Sequence, residues 1–158
     1  MTEQTRSIAF ILNGSECSKT VPVRTLLSDF LRHDQELTGT HVGCEQGVCG
    51  ACTILVDGTP VRSCLMLAVQ ADGATVETVE SLATGGELSC FQKAMKSEHG
   101  LQCGFCTPGI LMSVTAAQRD GRTVEDTETE VLGGHICRCT GYASIRAAIH
   151  QTWTEASE

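Results

Sequence analysis

No segment of the chain approaches the roughly eighteen consecutive apolar residues that a membrane-spanning helix needs, and no block of Lys or Arg interrupts a formal net charge of −8. A bilayer span is therefore not expected, and neither nucleic acid nor anionic lipid is an expected partner. The opening stretch MTEQTRSIAFILNG has a single short apolar run, Ile8 to Leu12, which ends in a turn dipeptide rather than a cleavage site, and Arg6 has no arginine neighbour. Neither a secretory nor a twin-arginine leader is expected, which points to the cytoplasm. The sequence shows no internal repeat, no Ser/His/Asp set, no phosphate-binding loop and no paired catalytic carboxylates, so no catalytic residue is assigned to this chain. At 158 residues it can bury one good core or two small ones, which is short for a complete redox enzyme with its own substrate domain.

What the chain does have is cysteine, ten in all. In a reducing compartment so many thiols are expected to serve as metal ligands or redox groups rather than disulfides. Eight of them fall into two quartets, Cys44/Cys49/Cys52/Cys64 and Cys103/Cys106/Cys137/Cys139.

The two quartets lie in halves of different character. In the first, Ile8, Phe10 and Leu12 alternate ahead of Asn13-Gly14, with Val21 and Val23 beyond, which predicts a hairpin. Leu26, Leu27, Phe30 and Leu31 predict a helix over 25–33, and 53–56 before Asp57-Gly58 predicts a second hairpin. A short strand is expected over 75–79, and a glycine-rich loop over 39–52. From about Glu80 the signals are helical. Thr84-Gly85-Gly86-Glu87 reads as a linker, followed by a helix through Leu88, Phe91 and Met95 to Gly100. Thr107-Pro108 reads as N-cap and first residue of a helix ending at Gly121. Further helices are expected near 128–132 and over 142–155.

The first quartet has the C-x4-C-x2-C spacing and distant fourth cysteine of a plant-type [2Fe–2S] site. Gly43, Gly47 and Gly50 give the loop freedom to curl around a cluster. A zinc site is the alternative, because Cys49-x2-Cys52 alone would suit one. In the second quartet each cysteine pair stands just before a predicted helix, so two helix N-termini would face one anionic group. An oxidised [2Fe–2S] cluster with four thiolates carries about −2.

The stretches GCEQGVCGAC (43–52), LQCGFCTPGI (101–110) and CRCTGY (137–142) resemble the iron–sulfur subunit of the molybdenum hydroxylases, the xanthine oxidase family. The likeness runs from about Ile8 to Ile149. It resembles the separate small subunits of bacterial carbon monoxide dehydrogenase, quinoline oxidoreductase and 4-hydroxybenzoyl-CoA reductase. It implies an α+β chain with an N-terminal plant-type ferredoxin-like β-grasp domain over 1–80. A C-terminal four-helix [2Fe–2S]-binding domain would occupy 81–158.

The resemblance further implies that the eight cysteines ligate two [2Fe–2S] clusters, that Gln102 hydrogen-bonds a molybdopterin, and that Cys139 both ligates iron and touches the pterin. Electrons would run from a large molybdopterin-binding subunit through the second quartet, then the first, to FAD on a medium subunit or to a haem-containing acceptor. Such complexes are expected as dimers of heterotrimers. The family usually has Gly-Asn-Leu before the C-x-C pair, where this chain has Gly134-His135-Ile136. His135 can donate a hydrogen bond but is bulkier and titratable.

Cys17 and Cys90 are left over and read as inert thiols. His33, His41, His99 and His150 show no ligand spacing and are expected at the surface or at helix ends. The acidic run Glu125, Asp126, Glu128 and Glu130 reads as a solvated helix start. Two other functions stay open from the residues alone: a free-standing two-cluster ferredoxin and a zinc-binding interaction module. The substrate class, whether heterocycle, aldehyde, carbon monoxide or acyl-CoA thioester, is not encoded here.

Overall fold

The Asn13-Gly14 hairpin is present in the computed structural model of the protein, which describes residues 3–83 and 85–155. β1 (Thr5–Leu12) and β2 (Ser15–Pro22) pair antiparallel, with Leu12 opposite Ser15. Asn13 and Gly14 both adopt positive φ, 50° and 81°, as a two-residue type I′ turn requires. The second hairpin, β3 (Thr53–Val56) and β4 (Thr59–Arg62), uses Asp57-Gly58 in the same way. β5 (Thr75–Glu77) lies between the hairpins, parallel to β1 and antiparallel to β3, giving the sheet order β2-β1-β5-β3-β4. It stops short of the expected residue 79 because Val79 opens a 3-10 turn, Val79–Leu82.

The helix expected over 25–33 begins two residues later. Leu26 is extended, and α1 (Leu27–Asp29) widens into a π-turn over Phe30–Asp34, closed by the Gln35 amide on the Phe30 carbonyl at 3.1 Å. Leu27, Phe30 and Leu31 pack on Ile8, Phe10, Val21 and Ile54 as the first core. Each such fully buried side chain contributes about 1.5–3 kcal/mol.

The helices build a second core. α2 (Cys90–Ser97) begins with a reciprocal capping box, in which Ser89 Oγ accepts from the Gln92 amide and Gln92 returns the bond to the Ser89 amide. α3 (Thr107–Arg119) is buried on almost every side. α4 (Val124–Asp126) continues as a π-turn over Thr127–Val131 and a 3-10 turn over Leu132–Gly134, starting earlier than expected because Thr123 caps it. α5 (Ala143–Glu155) closes the bundle. Of the predicted linker, Thr84 lies outside the described residues.

α3 joins the two cores. Along β3, Ile54 belongs to the sheet's own core, while Leu55 meets Met112 and Ala116 of α3. Both faces of β3 are therefore covered, which accounts for its unbroken apolar run. The tightest joint is backbone on backbone: a Cβ added at Gly109 would stand 2.1 Å from the Gly50 carbonyl oxygen. Gly109→Ala is expected to destabilise the chain by about 1–3 kcal/mol, the cost of overpacking, as a lower denaturant midpoint. An unchanged midpoint would show that this joint is loose.

Candidate metal centres

The first quartet is assembled by the loop over 39–52 and the β3–β4 hairpin. Register places Thr53 opposite Arg62, so Cys52 and Cys64 emerge side by side at the same end of the hairpin. The Ser63 hydroxyl and amide fasten this end to the Cys52 carbonyl at 2.8 and 3.3 Å. The interval between Cys52 and Cys64 is thus the length of one hairpin.

The second quartet is assembled by the two segments leading into α3 and α5. Cys106 is itself the N-cap of α3 and Thr107 the first helical residue. That corrects the one-residue-later start expected from the sequence. Gly104, at φ 80°, turns the chain so that its carbonyl takes the Thr107 amide at 3.2 Å, and the Thr107 hydroxyl is buried without a partner.

Within each quartet the sulfurs meet in twos. Cys44 lies against Cys49 and Cys52 against Cys64. Cys106 lies against Cys137, and Cys103 Sγ is 3.5 Å from Cys139 Sγ. One pair in each quartet is more open than the other. Cys103 and Cys139 are exposed while Cys106 and Cys137 are buried, and Cys44 and Cys49 are half-buried while Cys52 and Cys64 are buried.

Backbone amides surround the first quartet. Those of Gln46 and Cys49 donate to Cys44 Sγ at 3.4 and 3.5 Å, and with Val48 they draw the Cys44 thiol down to about 6. Burial raises the Cys49 thiol although the Ala51 amide opposes it, and the Gly47 amide acts on Cys64. Burial, with Cys52 adding to it, pushes Cys64 up to about 11, and burial with Cys137 alongside takes Cys106 to about 12. Burial opposes ionisation of Cys137 too, but the Thr140 hydroxyl at 3.1 Å helps to outweigh it and the net shift is downward. In two of the pairs, then, one sulfur is driven towards thiolate while its neighbour keeps a proton, and a metal ion would take that proton's place.

This donor set fits two dinuclear clusters. Two thiolates on one tetrahedral metal at about 2.3 Å lie about 3.8 Å apart, close to the 3.5 Å separation seen. Each iron of a [2Fe–2S] cluster takes two cysteines. Structural zinc gathers four ligands about one point, whereas here the closest sulfur contacts are two by two.

Other groups brought to the sites were not singled out by the sequence. Tyr142, at φ 68°, accepts the Cys137 amide on its hydroxyl at 2.8 Å and donates to the His135 carbonyl at 3.0 Å. His41, read as a surface residue, stacks on Phe105 at 4.9 Å and its Nδ1 meets the Phe105 carbonyl at 2.9 Å. Arg62 reaches the loop of the first quartet at Gly47 and the segment before Cys137 at Gly134. The pairings of His41 and Arg62 run between distant segments and leave no local pattern. His135 is buried against Ser113, with Nε2 to Oγ at 2.8 Å. Burial first, and then the charge of Arg62, hold it down to about 4, so it is neutral rather than titrating near neutral pH. Gln102 is exposed beside Cys103.

Comparison with known proteins bears on what these sites serve. Residues 10–95 match the family of 2Fe-2S iron-sulfur cluster binding domains, and residues 78–150 match the [2Fe-2S] binding domain family. The chain is 54% identical over 146 residues to the caffeine dehydrogenase subunit gamma of Pseudomonas sp. (strain CBB1), covering 90% of this chain and 87% of that one. It is 44% identical to the xanthine dehydrogenase iron-sulfur-binding subunit of Escherichia coli O157:H7, covering 90% and 91%. The chain belongs to the iron–sulfur subunits of the molybdenum hydroxylases. Quinoline 2-oxidoreductase from Pseudomonas putida 86 has the same fold, with a TM-score of 0.88 at 47% identity over 92% of this chain and 91% of that one.

The molybdenum hydroxylase iron–sulfur subunits are electron carriers built into multi-subunit oxidoreductases, with two [2Fe–2S] clusters of their own and molybdopterin and FAD on their partners. This chain is therefore an electron-transfer subunit with a ferredoxin-like part followed by a helical part, and the free-standing carrier is set aside. No helix among the described residues is long and apolar enough to cross a membrane.

Tyr142→Phe removes the acceptor of the Cys137 amide. It is expected to cost about 1–3 kcal/mol of stability, the penalty for an unsatisfied buried group, and to speed loss of the second site's iron to a chelator. Wild-type chelation kinetics in this variant would show that the hydroxyl does not hold the Cys137 loop.

Proposed function

We propose that Cys44, Cys49, Cys52 and Cys64 hold one [2Fe–2S] cluster and that Cys103, Cys106, Cys137 and Cys139 hold the other. The observation that carries this reading is the two-plus-two meeting of the thiols in each quartet. Cys44 and Cys49 would share one iron and Cys52 and Cys64 its neighbour, with Cys103 and Cys139 opposite Cys106 and Cys137 in the second site. When bound, each cluster accepts and releases one electron at a time. The protein's part is to present thiolates and amide donors in a fixed frame, so that little has to move when the charge changes.

The exposed Cys103–Cys139 edge with Gln102 is the face proposed for a large molybdopterin-binding subunit, with Gln102 and Cys139 touching the pterin. The first quartet is proposed to face a medium FAD-binding subunit, with a haem-containing acceptor as the alternative. Exposed Val48, Leu65, Leu101, Phe105 and Ile136 all lie within three residues of a quartet cysteine. Apolar surface gathered there suits burial against such partners. We further propose a division near residue 80, supported by the change from strands to helices after Glu77, and a cytoplasmic location, supported by ten thiols with no disulfide among the described residues. Assembly as a dimer of heterotrimers rests on the resemblance alone.

The complex isolated natively through this chain is expected to contain about four irons per copy together with molybdenum and FAD. Haem in place of FAD would indicate the cytochrome-linked type, and zinc in place of iron would end the cluster reading. Cys44→Ser should alter one of the two [2Fe–2S] resonance signals and Cys103→Ser the other. If either variant disturbs both signals equally, the division into quartets is wrong. Gln102→Ala is expected to slow electron arrival from the molybdenum subunit with both clusters intact. An unchanged rate would remove Gln102 from the pterin contact.

A further inference from the structure

Arg62, the last residue of β4, has its half-buried side chain between the two quartets. Nε donates to the Gly47 carbonyl at 3.3 Å and Nη2 to the Gly134 carbonyl at 2.7 Å, while Nη1 donates to Thr53 Oγ1. Thr53, itself buried, passes the interaction on through its hydroxyl to the Gly50 carbonyl at 2.6 Å. One guanidinium thus gathers carbonyl oxygens from the loop of the first quartet and from the segment that leads to Cys137.

The direction of these bonds matters more than their number. In a trans peptide the carbonyl of one residue and the amide of the next point opposite ways. With the Gly47 carbonyl held on Arg62, the Val48 amide faces Cys44, and with the Gly50 carbonyl held through Thr53, the Ala51 amide faces Cys49. Both peptide units are polarised in the sense that stabilises negative charge on the first quartet, and such chains of hydrogen bonds reinforce one another. The guanidinium also carries a positive charge. On the other side, the Gly134 peptide spends its amide end on the Leu132 carbonyl at 3.0 Å, through His135 N–H, and offers nothing to the second quartet.

We propose that Arg62 is the residue that sets the reduction potential of the first quartet's cluster, raising it relative to the second by orienting the peptides after Gly47 and Gly50. The inference rests on the cluster assignment proposed above. Reduction adds one electron to the first site, taken from the reduced second site, with no bond made or broken, so whatever stabilises the added charge favours the forward step. Arg62 is a positioning residue that acts through peptide groups and Thr53, not a ligand. Its effect is to bias the electron outward from the molybdenum side.

The test is a redox titration of the native complex followed by electron paramagnetic resonance, with the two cluster signals read separately. Arg62→Gln is expected to shift the first site's reduction equilibrium at least tenfold towards the oxidised form, about 59 mV for a one-electron couple, with a smaller shift at the second site. Arg62→Lys, which keeps the charge but cannot hold both carbonyls and Thr53 at once, should recover only part of the shift. A first-site midpoint unchanged in Arg62→Gln overturns the proposal, as do equal shifts at both sites or full recovery in Arg62→Lys, which would assign the effect to charge alone. Should Arg62→Gln fail to assemble, Thr53→Val removes only the hydroxyl relay. It should lower the first midpoint by less than tenfold, and Thr53→Ser should recover it. No change in Thr53→Val overturns the proposal. Failure of the underlying cluster assignment is distinguishable, because it would appear in the wild-type complex as missing iron or a missing [2Fe–2S] signal.

Discussion

The structure depends on how closely two backbones can approach. The loop of the first quartet rests on the first turn of α3, where Gly50 and Gly109 leave no room for a side chain between them. That contact sets the spacing of the two quartets, since Cys49 and Cys52 flank Gly50 on one side and Cys106 lies three residues before Gly109 on the other. The Ile136 amide bonds the Cys49 carbonyl at 3.0 Å and brings the Cys137 segment to the same point. Gly50 has φ 80°, and a Cβ there would also stand 2.4 Å from His135 Nδ1. Three separate segments therefore converge on one residue that has to be glycine.

Around this point the rest of the fold acts as a clamp. α3 is buried on nearly all sides because the sheet takes one face through Leu55, Met112 and Ala116, and α2 and α5 take another through Phe91, Ile110, Ile145 and Ile149. A helix so enclosed cannot shift without disturbing both cores, and close-packed interiors transmit displacement rather than absorb it. Cys106 therefore belongs to a stiff element. The loop over 39–52 has no strand or helix of its own among the described residues and takes its order from hydrogen bonds to Arg62, Thr53 and Ile136.

Electrostatics follow from the same frame. The chain is acidic overall and would become more so with two anionic clusters. The compensation is local, made of amide groups aimed at sulfur in the first loop, the N-terminus of α3 at Cys106 and one guanidinium between the two segments. In each quartet one thiol pair is more exposed and the other buried, so each site has an outward edge and a shielded one. An electron carrier held between partners needs both, because transfer requires close approach while a stable cluster requires exclusion of water.

The sequence by itself determined the ligand-type residues and the local elements that carry them. Asn13-Gly14 and Asp57-Gly58 specify hairpins through their tolerance of positive φ, and the Cys52 to Cys64 interval encodes a hairpin length. Cysteine spacing separated the two quartets because ligands close in sequence share a loop. Local signals were less sure at boundaries, where tertiary contacts override propensity: Cys106 rather than Thr107 caps α3, and α1 opens into a π-turn. Only the tertiary structure decided which thiols pair, that His135 is buried and neutral, and that Arg62, Tyr142 and Phe105 belong to the sites. The Tyr142 bonds and the Cys44–Cys49 pair are close in sequence, but the others join segments tens of residues apart, set by α3 packing on the sheet and by glycine backbones in contact, which no periodicity along the chain records.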